Sequence, residues 1–435
     1  MQTPNLKNIH AVVVGLGLTG NACVHFLNHQ GALVTAMDTR LDAIAPKGAK
    51  AKLGDFDAAT LCSADLVVLS PGVNPNHPSI QAAYKDNVDV VGDVELFARF
   101  NRTPVIAITG SNGKSTVTCL ITDILKSAGI NAVMGGNIGK PVLELLDIEA
   151  DVFVLELSSF QLETTRSLKP VCATILNISE DHLDRHITLD AYVAAKKRIY
   201  RKAQNKVANR DDVLTWPKKY NTKTSFGLSA SPVGLSWDAE NRQILDNNQP
   251  LISEQDCALR GAHNVLNMQA AISCVRPFNV DDNAIRNALR SFSGLAHRFQ
   301  LISQANNVRW INDSKATNIG ATIAAIQSLQ DRAGGKLVLI AGGDGKNANF
   351  TELQPILLDS VDLLITMGKD GRVIASLKPG SIEVSDMREA VDFANNIVES
   401  GDVVLLSPAC ASIDMYDNYQ VRGEAFKNEV LKVVS

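Results

Sequence analysis

The run Thr109-Gly110-Ser111-Asn112-Gly113-Lys114-Ser115-Thr116 carries the residue types of a nucleoside triphosphate cradle. Two glycines allow a tight turn whose amide N–H groups converge on an anion, and a helix opening behind them adds partial positive charge. Lys114 has the reach to neutralise β- and γ-phosphate oxygens, and Ser115 or Thr116 can ligate Mg²⁺. The common phosphate loop spaces its glycines by four residues. Here only Ser111 and Asn112 separate Gly110 from Gly113, so the reading rests on context. An apolar run from Pro104 to Ile108 precedes the loop, and a helical run from Thr116 to Ser127 follows it.

A second nucleotide-shaped motif lies near the start. The apolar run His10 to Val14 leads into Gly15-Leu16-Gly17-Leu18-Thr19-Gly20, with Asp38 closing the next strand. Taken alone, this fingerprint describes an NAD-dependent dehydrogenase with Asp38 on the ribose hydroxyls. Ligands lie beyond the C-terminal ends of parallel strands, so Leu18, Thr19, Asp38, Thr39, Arg40 and Gly72 are expected to share one crevice. A hydride-transfer enzyme needs no second phosphate cradle. Two such sites argue for a substrate with a nucleotide handle, plus ATP.

Other positions carry chemistry by type. Glu156 ends the apolar run Asp151 to Leu157, where an acid beside a phosphate loop suits Mg²⁺. The stretch Asp181-His182-Leu183-Asp184-Arg185-His186 reads as a metal or phosphate site, or as plain surface side chains. Spacing alone makes Lys196-Lys197-Arg198, on the amphipathic run Leu189 to Lys202, a solvated basic face. Asn264 and Asn267 share a helix face, suited to a base or ribose, although Asn264 also suits an N-cap. Thr317, Lys346 and Ser412 lie just past strand ends. Together they suit a carboxylate-bearing substrate, and singly they are ordinary loop residues.

The elements that must position these residues alternate between apolar strands and helices along all 435 residues. The fold class expected is α/β in three domains. These are a Rossmann-like N-terminal domain (1–92), a central P-loop ATPase-like α/β domain (93–296) and a Rossmann-like C-terminal domain (297–435). Hinges are expected at Asn101-Arg102-Thr103-Pro104 and near Ala296, with domain closure between them and their ligands. Hydrophobic residues make up 45% and charged residues 20%, an ordinary globular balance. A net charge of −4 offers no general attraction to nucleic acid. Seven scattered cysteines, a first segment without a secretory pattern and no long apolar run predict a cytoplasmic protein with reduced thiols and no membrane partner.

The ordered set of motifs resembles the Mur ligase family. It comprises the short phosphate loop, Leu155-Glu156-Leu157-Ser158-Ser159-Phe160-Gln161-Leu162, Asp181-His182-Leu183-Asp184, Ala195-Lys196, Gly261-Ala262-His263-Asn264-Val265-Leu266-Asn267 and His297-Arg298. Asn312-Asp313-Ser314-Lys315-Ala316-Thr317-Asn318 and Leu406-Ser407-Pro408-Ala409-Cys410-Ala411-Ser412, with the compact first domain, are most similar to its D-glutamate-adding branch. The resemblance spans essentially the whole chain. It implies ATP-dependent addition of D-glutamate to UDP-N-acetylmuramoyl-L-alanine through an acyl phosphate and a tetrahedral intermediate, in the cytoplasm, by a monomer. Other amino-acid-adding ligases and folylpolyglutamate synthases are the nearest rivals, and a folate enzyme needs no UDP-binding unit. A nucleotide-switched binding protein without ligase chemistry is a rival of another class.

Residue roles follow from the resemblance. Lys114, Glu156, His182 and Lys196 would be catalytic, with Gly110, Ser111, Asn112, Gly113, Ser115 and Thr116 cradling ATP. Ser115 and Glu156 would hold a first Mg²⁺, and His182 with a carbamylated Lys196 would serve a second. Asn267, Arg298 and Asp313 would contact ATP. The Gly15 motif would bind UDP rather than NAD through Leu18, Thr19, Asp38, Thr39, Arg40 and Gly72, with Asn137 and Ser158 along the nucleotide-sugar path. Lys315, Thr317, Lys346, Ser412 and Tyr419 would surround D-glutamate, Tyr419 standing where relatives often have Phe.

Overall fold

A computed structural model describes residues 4–219, 225–329 and 334–434. The chain is mixed α/β and packs as two compact units. The first comprises Met1–Ile178, Asp190–Cys257 and Val265–Phe292, and the second Ser179–Leu189, Ala258–Asn264 and Ser293–Ser435.

The first unit opens with β1 (His10–Val14), β2 (Leu33–Asp38), β3 (Ala49–Leu53), β4 (Leu66–Leu69) and β5 (Asp89–Gly92). They form an all-parallel sheet in the order β3-β2-β1-β4-β5. A second parallel sheet follows, from β6 (Val105–Thr109), β7 (Ala132–Gly136), β8 (Val152–Glu156), β9 (Cys172–Ile175), β10 (Asn205–Asn209) and β11 (Ser225–Phe226). Its order is β11-β10-β9-β6-β8-β7, placing β6 centrally. All five β6 residues are buried, as covering helices on both faces of a parallel sheet require. The helix Asp93–Phe100 joins the two sheets, and its Val94, Leu96 and Phe97 enter a core cluster shared by both. The Phe97 and Phe153 rings meet edge to face at 6.0 Å there. A small antiparallel sheet of β12 (Leu235–Asp238), β13 (Gln243–Asp246) and β14 (Gln249–Ser253) completes the described strands of this unit.

The second unit has β15 (Gln300–Ser303), β16 (Arg309–Asn312), β17 (Leu337–Gly342), β18 (Leu363–Met367), β19 (Ile382–Glu383) and β20 (Val403–Leu406). Their order is β15-β16-β20-β17-β18-β19, parallel except for the antiparallel edge strand β15. Separate apolar clusters fill its two faces, one around Ile326 and Leu339, the other around Trp310 and Phe426.

Local boundaries differ from the sequence reading for physical reasons. The run Cys172 to Ile178 leaves the sheet after Ile175. Asn177 there turns into the phosphate loop, and the Ile178 N–H donates to Asp212 Oδ2 at 2.8 Å. The run Leu189 to Lys202 is helical only to Lys197, then makes a single 3₁₀ turn, Arg198–Tyr200. The helix behind the phosphate loop starts at Lys114 rather than Thr116. The helix that the sequence reading ran to about Gln330 is Ile319–Gln327, and Gln330 itself lies outside the described residues.

Candidate active site

The phosphate loop joins β6 to the 14-residue helix Lys114–Ser127. Gly113 has φ +83°, left-handed, and a Cβ there would meet Asn267 Oδ1 at 2.4 Å. Only glycine fits both conditions. The Ser111 N–H donates to the Asn177 carbonyl at 2.9 Å, and the Asn112 N–H to Asn177 Oδ1 at 2.8 Å. Asn177 Nδ2 donates back to the Asn112 carbonyl at 3.1 Å, so one asparagine splints the loop.

Two lysines converge on this loop. Lys114 Nζ donates to the Gly110 and Ser111 carbonyls at 2.8 and 2.9 Å. Lys196, 1% exposed, also donates to the Gly110 carbonyl at 2.8 Å. Its Nζ lies 4.5 Å from the centroid of the Tyr192 ring, and the Tyr192 hydroxyl is 3.1 Å from Ser111 Oγ. The basic face read from spacing therefore splits: Lys196 is buried, whereas Lys197 and Arg198 are half-buried. Two ammonium groups on one carbonyl repel in a water-poor site. Such a concentration of positive charge at the loop suits an anion, for instance a phosphate against Lys114.

Glu156 sits on β8 beside Ile108 of β6, at the same sheet edge as the loop. It is 1% exposed, and Oε1 accepts from Asn137 Nδ2 at 2.7 Å. Ser115 is buried in the first turn of the following helix. A carboxylate and a hydroxyl beside a phosphate cradle are hard oxygen donors that fit Mg²⁺, which takes few protein ligands and completes its shell with phosphate and water. Among the described residues no group of three or more His, Cys, Asp or Glu side chains is gathered for a metal.

At the ends of β1, β2 and β4 lies a cleft of about 440 Å³. Leu18, Thr19, Asp38, Thr39 and Gly72 line it, as expected, and Asn137 joins them from the second sheet. Gly20 is needed where the helix Leu18–His29 crosses β1, since a Cβ there would lie 1.8 Å from the Gly15 carbonyl oxygen. Asp38 is turned inward. It accepts from the Leu16 N–H at 2.6 Å and from Arg40 N, Nε and Nη2 at 2.9, 2.9 and 3.0 Å. The Arg40 guanidinium holds its carboxyl far below the usual range. Asp38 thus braces the glycine turn instead of presenting itself to ribose hydroxyls as the dehydrogenase reading requires. Ser158 is not part of the lining. Its hydroxyl caps the helix Ser159–Glu163 by accepting from the Gln161 N–H at 3.2 Å. Gln161 does line the cleft and donates through Nε2 to buried Asp93 at 3.0 Å. Sequence reading singled out Gln161 only as part of a motif, because nothing local marks an amide whose partner is 68 residues away.

The second unit gathers the remaining candidates. His182 has φ +56°, and its N–H donates to its neighbour Asp181 Oδ1 at 2.9 Å. Lys346 Nζ lies 3.7 Å from that same oxygen. His182 belongs to this unit, whereas Ser115, Glu156 and Lys196 belong to the first. Arg298 is flanked by two left-handed residues, His297 (φ +61°) and Phe299 (φ +48°), a strained turn of the kind that functional sites hold in place. Asp313 Oδ1 accepts from the Phe299 N–H at 3.1 Å and Oδ2 from Ser407 Oγ at 3.0 Å. Lys315 Nζ stands 4.0 Å from the centroid of the Tyr419 ring, and the Thr317 N–H donates to the Lys315 carbonyl at 2.9 Å. Ser412 is buried.

Burial pushes the Asp313 carboxyl from the ordinary 3.8 up to about 7, against the opposing pull of its hydrogen bonds and Arg298. Although the residue keeps some surface, atoms crowd the carboxyl itself. Between those two values the folded protein keeps a proton that the unfolded chain has lost, so stability falls as pH rises through the window. Asparagine at this position keeps the bond from the Phe299 N–H through Oδ1 and reverses the other, with Nδ2 donating to the Ser407 hydroxyl. Asp313→Asn is therefore expected to gain roughly 1–3 kcal/mol relative to the parent between about pH 5 and pH 8. Urea unfolding at both ends of that range checks it, and an equal pH slope in parent and variant would count against the assignment.

Comparison with known proteins identifies the family. Residues 9–92 match the MurD-like N-terminal domain of Mur ligases, 108–275 the Mur ligase middle domain and 297–410 the Mur ligase glutamate ligase domain. The chain belongs to the Mur ligase family. It is 46% identical over 429 residues to the UDP-N-acetylmuramoylalanine–D-glutamate ligase of Shewanella oneidensis, covering 96% of this chain and 97% of that protein. The enzyme of the same name from Haemophilus influenzae is 42% identical over 428 residues, with 97% of each chain covered. In fold the chain is similar to the UDP-N-acetylmuramate-alanine ligase MurC of Thermotoga maritima, with a TM-score of 0.62 at 19% identity. That match covers 98% of this chain and all of the other. No helix among the described residues is long and apolar enough to cross a membrane.

Proposed function

We propose that this chain joins D-glutamate to UDP-N-acetylmuramoyl-L-alanine with conversion of ATP to ADP and phosphate, a cytoplasmic step of peptidoglycan precursor synthesis, acting as a monomer. The observation that carries the chemistry is the convergence of Lys114 and Lys196 on the Gly110 carbonyl, one sheet strand from Glu156. Near-full-length identity to D-glutamate ligases supports the substrate pair.

A carboxylate does not acylate an amine at neutral pH, so it must first be activated. One carboxylate oxygen of the alanyl group attacks the γ-phosphorus, the bond to the β-phosphate oxygen breaks, and ADP leaves. The D-glutamate nitrogen then attacks the acyl carbon, loses its proton, and the tetrahedral intermediate expels phosphate. Phosphoryl transfer depends mainly on positioning and charge neutralisation. Lys114 supplies charge at the β/γ oxygens while loop N–H groups cradle them. Ser115 and Glu156 would hold one Mg²⁺, with His182 and Lys196 serving a second, and Mg²⁺ when bound would offset the charge spread over the transferring phosphoryl group. Lys196 qualifies only as a carbamate: its neutral amine adds to CO₂, a proton leaves, and the resulting anion has two oxygens. Arg298, Asp313 and Asn267 serve ATP. Leu18, Thr19, Thr39, Gly72 and Asn137 serve the nucleotide-sugar from the cleft lining, Asp38 and Arg40 by bracing its glycine turn, and Ser158 by capping the helix that carries Gln161 into it. Lys315, Thr317, Lys346, Ser412 and Tyr419 serve the amino acid.

The test measures phosphate release with ATP, Mg²⁺ and UDP-N-acetylmuramoyl-L-alanine, with and without D-glutamate, and weighs the product. Release that depends on D-glutamate and adds one glutamyl unit is expected. Release only with another amino acid or a longer nucleotide-peptide would move the activity within the family. No release with any pairing would overturn it.

A further inference from the structure

Arg422 lies on the helix Tyr419–Val434 and is among the largest fully buried side chains, 1% exposed. A buried guanidinium ordinarily faces a carboxylate. Among the described residues no carboxylate is within ion-pair distance of Arg422. Its planar fork is instead used on neutral acceptors. Nε donates to Ser314 Oγ at 3.0 Å, and Nη2 donates to the Ser314 and Cys410 carbonyls at 2.9 and 3.1 Å. Nη1 donates to the Ala411 carbonyl at 3.2 Å. The Ser314 hydroxyl passes the chain on to the Tyr419 carbonyl at 2.9 Å. Burial lowers the guanidinium to about 10, so it stays cationic at neutral pH.

Such a charge is a poor way to fill a core, because apolar side chains of similar volume do so as well or better. What this one achieves is geometric. Ser314 precedes Lys315 and Thr317, while Cys410 and Ala411 precede Ser412. Tyr419 lies one turn before Arg422 on the same helix. Ala411 also exchanges two backbone hydrogen bonds with Asp344, at 2.8 and 3.0 Å, two residues before Lys346. All the segments that carry the amino-acid-binding candidates therefore meet directly or through one residue at a single guanidinium.

We propose that Arg422 is the positioning residue of the amino-acid pocket, fixing the loops after β16 and β20 and the start of the last helix so that their side chains match a dicarboxylate. It touches no substrate, and the inference rests on the assignment of D-glutamate to this pocket given under Proposed function. A dicarboxylic amino acid must be held at both carboxylates for its nitrogen to reach the acyl carbon, so small loop displacements are read as lost affinity.

Arg422→Lys keeps the charge but replaces the planar fork that serves four acceptors with a single ammonium of three donors, and Ser314→Ala removes the hydroxyl that links Arg422 to Tyr419. Steady-state kinetics in the full chain should show KM for D-glutamate raised about tenfold or more in Arg422→Lys and less in Ser314→Ala. KM for ATP and for the nucleotide-sugar should stay within about twofold in both. Equal rises in all three constants, or a lowered melting temperature with unchanged KM for D-glutamate, would overturn the proposal. If Arg422→Lys does not fold, Ser314→Ala decides by the same criterion. Should the parent use a different amino acid, the same selective rise is expected for that substrate and the activity assignment alone fails. A parent without ligation removes both.

Discussion

Lys196→Ala is expected to lower D-glutamate-dependent phosphate release by at least about 10²–10³-fold, the loss typical of removing a preorganised charge at a phosphoryl or acyl transfer centre. Lys197→Ala should stay within about twofold, as substitutions away from packed or charged contacts do. The contrast is a strong one because the two residues are adjacent, equal in charge and on one helix. They differ in placement. Lys196 is 1% exposed with Nζ on the Gly110 carbonyl, whereas Lys197 is half-buried. Carbon-13 bicarbonate should give a carbamate resonance in the parent that Lys196→Ala lacks. Equal losses in the two alanine variants, or a resonance that survives in Lys196→Ala, would remove the carbamate role.

Gly113→Ala should weaken ADP binding about tenfold or more and lower kcat/KM for ATP by on the order of 10²-fold. Alanine at φ +83° stores roughly 1–3 kcal/mol of strain. Its Cβ would also lie 2.4 Å from Asn267 Oδ1, so either the loop or the helix bearing Asn267 has to shift. Each 1.4 kcal/mol of that displacement costs about tenfold in affinity. The nearest contact of the added Cβ is the Asn267 amide rather than an apolar side chain, so the melting temperature should fall far less than the affinity. Calorimetric titration with ADP beside thermal unfolding separates the two, and parental affinity in the variant would contradict the cradle.

The parallel sheets were legible because strands buried on both faces leave continuous apolar runs such as Val105–Thr109 and Val403–Leu406. The edge strand β3 was not. The Ala-Lys-Ala-Lys-Leu run of β3 alternates, but its apolar positions are mostly small alanines and the strand is largely exposed, so it leaves no continuous apolar run. The phosphate loop was legible since its glycines, lysine and serine are contiguous. Lys196 was not legible from spacing, because a helix face reports polarity and says nothing of what covers it. Only resemblance to a family singled it out. Gln161 and Arg422 lay beyond local reasoning altogether: their partners are 68 and 108 residues distant. Asp38 was legible as an acid after a glycine turn, but nothing in the sequence shows that its oxygens are engaged by Leu16 and Arg40.

Asn137 belongs to two places at once. It lines the cleft at the ends of β1, β2 and β4, and its backbone and side-chain N–H groups both bond Glu156, at 2.8 and 2.7 Å. An acceptor seated in that cleft therefore bears on the residue that aims the acid next to the phosphate loop. One side chain thereby ties the cleft to the acid, so a substitution at Asn137 disturbs both together.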